Sequence, residues 1–252
     1  MHNQLDDILS ALNHAGSRHV SELPNGPFWA HIGVGRDDGK QKGEYNSILY
    51  PIQLFKLLHH ENVWLSETPD RPSKGWDAGS IRILTMGVFE HVETKQKVLA
   101  ANTHLDNEGS KSRLESVGIT IRTLKRVHSA WSGGGKLGIF SAGDFNSSTT
   151  QKAYLAKKDS GYMVDLHDQV QERDRYGDII TFTGFEPDKA KDEQGRLDFL
   201  FLGPCKADGD REKIVTPWQV DGYVVLPNVF EAGIYLSDHR AIVGDLRLQS
   251  LS

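Results

Sequence analysis

The sequence contains a single cysteine, Cys205, so no disulfide bond can form within the chain. It has no apolar run long enough to cross a membrane. Its first residues carry acids where a secretory signal would place basic and then apolar residues. It also has no surplus of positive charge, since 29 Lys and Arg face 34 Asp and Glu and the net charge is −5. This balance argues against a protein that coats nucleic acid non-specifically, because such binding relies on cations facing phosphates.

Internal repeats, low-complexity tracts and long linkers are also lacking, which predicts a single domain over residues 1–252. Apolar periodicity predicts three helices and a larger number of strands. The fold class is therefore α+β with largely antiparallel sheets, two of them packed face to face and covered by helices. The predicted helices lie near 5–12, 112–131 and 151–158, and the predicted strands at 45–50, 54–58, 63–65, 81–92, 98–104, 137–146, 179–185, 197–202, 222–226 and 241–248.

The long helix has a predicted start signal of its own. Ser112 and Glu115 have the spacing of a capping box, in which each side chain bonds a free amide of the first turn.

One stretch organises the rest of the chain: an apolar run from Leu137 that ends in Gly143-Asp144-Phe145-Asn146. Strand alternation would place Asp144 and Asn146 on one face, with Phe145 pointing into the core. A carboxylate and an amide at a strand end can hold a water or an oxyanion. The competing interpretation is a strand that runs into an ordinary Asp/Asn turn.

Three other predicted strands begin or end in a polar cluster: Asn102-Thr103-His104-Leu105-Asp106, Arg196-Leu197-Asp198-Phe199 and Ser237-Asp238-His239. Each cluster alone is weak, since a His beside an Asp is commonly a surface or capping pair. Together the four clusters collect His, Asp and Asn without Cys. Such oxygen-rich ligands suit Mg²⁺, Mn²⁺ or Ca²⁺ better than a structural zinc.

In this order along the chain, the motifs at 102–105, 143–146, 196–199 and 237–239 resemble those of the endonuclease/exonuclease/phosphatase superfamily. That superfamily includes pancreatic deoxyribonuclease, abasic-site endonucleases, sphingomyelinases and inositol-phosphate phosphatases. The resemblance extends to Gly43-Glu44-Tyr45 and to the segment 64–69. It implies a four-layer α/β/β/α sandwich of the deoxyribonuclease I type. It also implies a divalent-metal-dependent hydrolase, using Mg²⁺ or Mn²⁺, that cleaves a phosphodiester or phosphomonoester with an activated water.

The resemblance also implies roles for the residues of the late motifs. Asp144 would orient or deprotonate the attacking water, and Asn146 would donate to the phosphate or to that water. His239 would hydrogen-bond a phosphate oxygen, while Asp198 would hold the His239 ring in position. Asp238 would lie at the metal.

Three earlier residues complete the implied site. Glu44 would pair with His104, and His104 would contact the phosphate from the side opposite His239. Arg82 would bind the phosphate as a planar fork of donors.

One departure from the family pattern concerns the first strands. Family members carry an Asn and a metal-binding Glu on two strands that would precede the helix near residues 5–12. We therefore expect a chain that lacks its first two strands, as in an N-terminally truncated form. The alternative function is a catalytically impaired relative that binds a phosphorylated ligand without turnover.

Two further interpretations are less favoured. A serine hydrolase would use Ser141 with His239 and Asp198, but the nucleophile elbow needs a glycine where the chain has Ile139. The glycines at 33–39 resemble a dinucleotide loop only in part, since Asp38 stands where the third glycine belongs and no helical pattern follows. That segment is interpreted as a polar loop, and a loop that faces a site is left open as an alternative.

The expected partners are substrates: a phosphorylated small molecule, a nucleotide or a nucleic acid. Mixed charge at 106–111 argues against duplex DNA as the dedicated substrate. We expect a monomer with no membrane span.

Overall fold

The computed structural model describes residues 2–17, 28–133, 136–185, 194–208 and 211–249. The helices are α1 (His2–Ser17), α2 (Ser110–Trp131), α3 (Lys152–Asp159) and α4 (Leu166–Gln169). The strands are β1 (Trp29–Ile32), β2 (Ile48–Pro51), β3 (Phe55–Trp64), β4 (Ile83–His91), β5 (Lys97–His104), β6 (Leu137–Asp144), β7 (Val164–Asp165), β8 (Arg175–Gly177), β9 (Asp198–Gly203), β10 (Lys206–Asp208), β11 (Arg211–Val215), β12 (Trp218–Val225) and β13 (Ile242–Leu248). Within these residues no helix combines the length and the apolar character that crossing a bilayer requires.

A six-stranded sheet forms the centre of the fold, with the strand order β3-β4-β5-β6-β9-β7. Neighbouring strands are antiparallel except for β5 and β6, which run parallel. The hairpin of β4 and β5 has the predicted pairing, with Phe89 opposite Val98. The largely antiparallel α+β architecture is therefore confirmed.

The two faces of this sheet are covered differently. Alternation along β6 points Ile139 to one face, where α2 and α3 pack, and Phe140 to the other. On that second face lie the pair β1-β2 and the three-stranded sheet β13-β12-β8. Helix α1 contacts β1 from outside. The order helix, sheet, sheet, helix is the predicted α/β/β/α sandwich.

The second layer is divided into two groups of strands, and between them lies a cleft of about 420 Å³. Asn102 and Leu200 of the central sheet line this cleft, with Asn46 near β2 and Ile242 of β13. The expectation that two further strands belong to this fold stays a prediction. The cleft leads to the polar ends of β5, β6 and β9.

The start of α2 corrects the predicted capping box. Its N-cap residue is Gly109, without a side-chain cap, and Ser112 Oγ is buried with no hydrogen-bond partner among the residues that the structure describes. The Asp77 carboxylate instead accepts from the amides of Ser112 at 2.7 Å and Lys111 at 3.2 Å. The cap is therefore supplied by a residue distant in sequence, which local spacing could not reveal.

Two strand predictions also change. Residues 179–185 form no strand, and only isolated bridges link Phe182 to Gly195 and His239. The predicted strands at 54–58 and 63–65 are one strand, β3, with a register shift between Leu57 and His59.

Below the central sheet, Lys157 of α3 is completely buried. Its Nζ donates to Ser141 Oγ at 3.4 Å and lies 5.5 Å and 5.9 Å from the ring centroids of Phe201 and Phe145. In the described part of the chain no carboxylate forms an ion pair with it. Burial lowers the pKa of Lys157 to about 7.

Candidate active site

Strand register places three predicted site residues in one row at the edge of the central sheet. His104 at the end of β5 lies opposite Asp144 at the end of β6, and Asp144 lies opposite Asp198 at the start of β9. Residues directly opposite each other on paired strands are near neighbours. The sheet alone therefore brings together residues from three of the four motifs.

Gly143 allows β5 and β6 to approach at this row. A Cβ at position 143 would lie 2.0 Å from the carbonyl oxygen of Thr103, and the φ angle there is +155°. No side chain fits this space without separating the two strands, so the glycine is a requirement of the site geometry.

Gly143→Ala is expected to separate β5 from β6 and to move Asp144 away from His104. We expect this change to slow the phosphoester hydrolysis that the sequence motifs imply at least tenfold and to destabilise the protein by about 1–3 kcal/mol. Steady-state kinetics and urea unfolding would measure the two effects. Gly161→Ala is the control, because that glycine also has a positive φ of +61°, but within the described ranges no atom beyond its chain neighbours lies within 4 Å of its Cβ position. Equal activity losses in both variants would contradict this account.

The fourth motif adds His239 to the row. His239 Nδ1 is hydrogen-bonded to Asp198 Oδ2 at 2.7 Å, and its Nε2 lies 3.7 Å from Asp144 Oδ2. Burial lowers the pKa of His239, but the hydrogen bond and charge of Asp198 outweigh it, so the pKa lies above its usual value. The protonated ring can donate through Nε2.

Asp198 is fixed by groups that the sequence did not indicate as functional. Thr181 Oγ1 accepts from the amides of Asp198 and Leu197, both at 3.0 Å. Arg196, from the same motif, is buried and pairs with Asp165 at 2.8 Å, away from the row. Asp198 and Arg196 therefore have different roles: one faces the site and the other stabilises the sheet.

The carboxylate of Asp144 is desolvated and lies close to the negative charge of Asp198. Burial and the charge of Asp198 raise the pKa of Asp144 to about 6. Its Oδ1 accepts from the Asn146 amide at 2.7 Å, and its Oδ2 lies 3.4 Å from His104 Nε2. A carboxylate with raised pKa can accept a proton from water near neutral pH.

Asn146 reaches the row through a turn. Strand β6 ends at Asp144, Phe145 is buried as predicted, and Asn146 has the left-handed φ of +44°. Its Nδ2 donates to the Leu105 carbonyl oxygen at 2.9 Å and lies 3.0 Å from His104 Nε2. The amide therefore links the ends of β5 and β6.

His104 is held neutral. Burial and the charge of Arg82 lower its pKa to about 4. Since Asn146 Nδ2 faces its Nε2, that nitrogen takes the acceptor role and the proton remains on Nδ1. Nδ1 lies 3.7 Å from Glu44 Oε2, so the structure places Glu44 beside the neutral His104 ring, and a functional pairing of the two stays a prediction.

Glu44 is also flanked by two arginines. Arg36 Nη1 contacts Glu44 Oε2 directly, and Arg82 Nη1 lies 3.7 Å from the same oxygen. Arg36 was missed from the sequence because it lies in the segment interpreted as a polar loop. The Glu44 carboxylate is therefore fixed by cations beside His104.

Arg82 lies behind Glu44 and its side chain is only 4% exposed. Its Nε donates to Asp106 at 3.2 Å and its Nη2 to Asn107 at 2.8 Å, while Nη1 has no hydrogen-bond partner among the described residues. The fork is thus largely occupied by protein groups. Direct contact of Arg82 with a substrate phosphate stays a prediction.

Asp106 organises this part of the site although the sequence assigned it no role. The buried carboxylate accepts from the amides of Gly79, Ser80, Glu108 and Gly109 at 2.8–3.0 Å. Burial raises the pKa of Asp106, but these four hydrogen bonds outweigh it, and the pKa lies well below its usual range. A permanently ionised Asp106 anchors Arg82.

A cation could bind at the row itself. Asp144, Asp198 and His239 each offer a ligand atom, and these atoms lie within 4.8 Å of one another. Two crowded carboxylates, one with a raised pKa, fit a hard divalent cation such as Mg²⁺ or Mn²⁺. The Asp238 carboxylate is not part of this group; its Oδ1 lies 3.4 Å from Ser237 Oγ and its charge helps raise the pKa of His239.

Comparison with known proteins identifies the family, although no family model matches the chain. An endonuclease/exonuclease/phosphatase family protein from Bacteroides thetaiotaomicron is 31% identical, with a TM-score of 0.78 over 99% of this chain and 80% of that one. The chain belongs to the endonuclease/exonuclease/phosphatase family. The resemblance seen in the sequence motifs is confirmed.

The chain is also similar to two proteins whose names state an activity. A mannosyl-6-phosphatase from Bacteroides thetaiotaomicron is 31% identical, with a TM-score of 0.79 over 97% of this chain and 81% of that one. The Ccr4 3′–5′-exoribonuclease subunit of the CCR4–Not complex from Debaryomyces hansenii is 25% identical over 179 residues. That match covers 67% of this chain but only 20% of the length of the Ccr4 subunit. The family relatives named here thus include a phosphatase and a nuclease.

Proposed function

We propose that this protein hydrolyses a phosphomonoester or phosphodiester with an activated water and a bound divalent cation, Mg²⁺ or Mn²⁺. The observation that carries the proposal is the His104-Asp144-Asp198 row with His239 hydrogen-bonded to Asp198. In-line attack at phosphorus requires little covalent chemistry from a protein. It requires positioned donors, a place for the water and neutralised phosphate charge.

Each side chain of the row has a task in this proposal. Asp144 orients the water and accepts its proton. Protonated His239 donates through Nε2 to a phosphate oxygen as negative charge develops there, while Asp198 fixes the ring. Asn146 holds His104 against the end of β6, and His104 bounds the phosphate on the side opposite His239.

Asp144 and Asp198 are the residues that would hold the cation, with Asp238 as the further ligand that the family resemblance implies. His239 is left to act as a donor, because an imidazolium has no lone pair for a metal. When bound, such a cation neutralises phosphate charge and lowers the pKa of water. Glu44, held by Arg36 and Arg82, keeps the Nδ1 proton of His104 in place.

The mannosyl-6-phosphatase activity of one relative supports a monoester as a substrate, and the exoribonuclease relative supports a diester. We therefore test both 4-nitrophenyl phosphate and bis(4-nitrophenyl) phosphate, with Mg²⁺, with Mn²⁺ and with EDTA. Turnover that depends on either metal is expected. His239→Ala should lower kcat about 10²-fold, the effect of removing one donor to developing negative charge.

His60→Ala is the matched control, because this exposed histidine lies on β3, remote from the row. Its kcat should stay within twofold of the wild-type value. Metal-independent turnover, or turnover unaffected by His239→Ala, would contradict the proposal. Binding of inorganic phosphate in calorimetry without turnover of either ester would favour the alternative of a ligand-binding relative.

A further inference from the structure

Two adjoining cavities lie at the end of the central sheet that is remote from the His104-Asp144-Asp198 row. The first measures about 330 Å³ and lies between the turn that joins β4 to β5, the end of α2 and the start of β6. The second measures about 250 Å³ and lies beside residues 204–206 and 215–217. Lys136, Leu137 and Gln249 line both cavities, so the two adjoin there. Together they fall within the range of roughly 300–1,000 Å³ that small-molecule sites occupy.

The charge on these walls is opposite to that of the protein as a whole. Lys95, Lys97 and Lys136 line the first cavity. Lys136 and Lys206 line the second. In the part of the chain that the structure describes, no Asp or Glu lines either cavity, although the net charge of the protein is −5. The two cavities with these four lysines are named the lysine groove.

Protein carboxylates neutralise this charge only weakly. Lys97 and Lys206 form no ion pair with any described residue. Lys95 Nζ lies 3.9 Å from Glu90 Oε1, but its side chain is 68% exposed, and exposed pairs of this kind contribute little. Burial lowers the pKa of His128, which lines the second cavity, and the charge of Lys206 adds to the effect. Like charges gathered in this way repel one another, and a bound anion would remove that repulsion.

The second cavity adds apolar walls to the lysine groove. Leu137, Pro204, Val215 and Pro217 all line it. The Gln249 amide donates to the Pro217 carbonyl oxygen at 2.9 Å, which ties the end of β13 to this wall. Small-molecule sites combine apolar walls with a few placed polar groups. The groove therefore offers cations in one cavity and an apolar surface for an organic group in the other.

The lysine groove is separate from the candidate active site. Lys97 begins β5 and Leu137 begins β6, while His104 and Asp144 end the same two strands. Seven steps along a strand span about 23 Å. One small phosphoester cannot reach both places at once, so a ligand of the groove is a different molecule from the one bound at the row.

We propose that the lysine groove binds an organic polyphosphate, with its phosphate groups at Lys97 and Lys136 and its organic part against Pro204 and Pro217. Several cations along one groove match a ligand with several negative charges, and lysines bind phosphates as point charges. A nucleoside diphosphate has this chemistry. The inference does not depend on the proposed function, because no residue of the row lines the groove.

The test is calorimetric titration in EDTA with α,β-methylene adenosine diphosphate, whose P–C–P bridge resists hydrolysis. The wild type should bind this probe at least tenfold more tightly than it binds pyrophosphate or adenosine, because each of those fills one cavity. Lys97→Gln should weaken the probe about tenfold or more, the size of one hydrogen bond to a charged group. Lys97→Arg keeps the charge and should stay within threefold. Lys56→Gln, at an exposed lysine on β3, is the matched control and should change nothing.

His239→Ala separates the groove from the row, and it should leave the affinity for the probe unchanged. Binding lost in His239→Ala but kept in Lys97→Gln would place the probe at the row and overturn the inference. An absence of binding to the wild type, with a lower thermal midpoint for Lys97→Gln, would also overturn it and leave the lysines the task of stabilising the end of α2. Tighter binding of an adenosine oligoribonucleotide than of the probe would overturn it in favour of a nucleic-acid surface.

Discussion

Asp144→Asn is expected to slow metal-dependent hydrolysis at least about 10³-fold without unfolding the protein. The substitution keeps the shape and the acceptor oxygen for the Asn146 amide. It removes both the proton acceptor for water and a negative charge that would hold the cation. General-base effects alone reach about 10²–10⁴-fold, and loss of metal affinity adds to them. The measurement is kcat with saturating Mg²⁺ and with a Mg²⁺ titration.

Stability provides the second readout for this variant. The Asp144 carboxylate is desolvated and faces Asp198, which is why its pKa is raised to about 6. In EDTA at pH 7.5 the thermal midpoint of the variant should therefore equal or exceed that of the wild type. Asp159→Asn, an exposed acid at the end of α3, should leave activity and midpoint unchanged. A variant that keeps a tenth of the activity, or that melts at a clearly lower temperature, would contradict the assignment.

Lys157→Met is expected to stabilise the protein by several kcal/mol below pH 7. The buried amine has a pKa of about 7 in the folded state against 10.5 as its ordinary value. Each pKa unit between the two states corresponds to about 1.4 kcal/mol. Burial of the charged amine therefore lowers the free energy of unfolding by about 5 kcal/mol. Methionine keeps the length of the side chain and places a polarisable sulfur against Phe145 and Phe201.

The sign of the pH dependence follows from the two pKa values. Between pH 7 and pH 10.5 the unfolded chain binds the proton that the folded protein does not, so the stability of the wild type rises with pH in this window. Below pH 7 both the folded and the unfolded state bind the proton, and the buried charge then destabilises the folded protein by the full amount. The advantage of Lys157→Met should therefore be largest at pH 6 and shrink to about 1 kcal/mol or less near pH 9.5, where the loss of the Ser141 contact offsets it.

Urea unfolding at pH 6 and pH 9.5 measures this difference. Lys158→Met is the adjacent control, since Lys158 is half exposed and pairs with Asp168 at 3.1 Å. Its replacement should change stability by less than about 1 kcal/mol, and equally at the two pH values. A pH-independent effect of Lys157→Met would show that packing rather than charge sets the cost.

Much of the site could be predicted because the pairing of strands determines which residues at their ends lie side by side. His104, Asp144 and Asp198 end or begin strands that were correctly predicted, and pairing of those strands places them in one row. Asn146 lies at the site for a different reason: strand alternation does not continue past Asp144, and a left-handed turn carries the amide to His104. Strand alternation is therefore not what brings Asn146 near Asp144, and the functional role predicted for Asn146 stays a prediction.

Residues that act through long-range contacts could not be predicted. Arg36 lies in a polar loop, and only the fold brings it to Glu44. Thr181 lies in a segment wrongly predicted as a strand, yet its hydroxyl fixes the start of β9. Their effect depends on which carboxylate or amide the fold places next to them, and neither carries a local periodic signal.

The carboxylates of Asp77 and Asp106 each accept hydrogen bonds from backbone amides that lie close in sequence to the other residue. Asp77 caps α2, while Asp106, four residues before that helix begins, closes around the amides of Gly79 and Ser80. Neither segment can detach alone, so amide hydrogen exchange at Gly79, Ser80, Lys111 and Ser112 should report one common opening event. The same event would release Arg82, while Glu44 keeps its direct contact with Arg36. Because burial and then the charge of Arg82 lower the pKa of His104, this opening would make protonation of His104 easier.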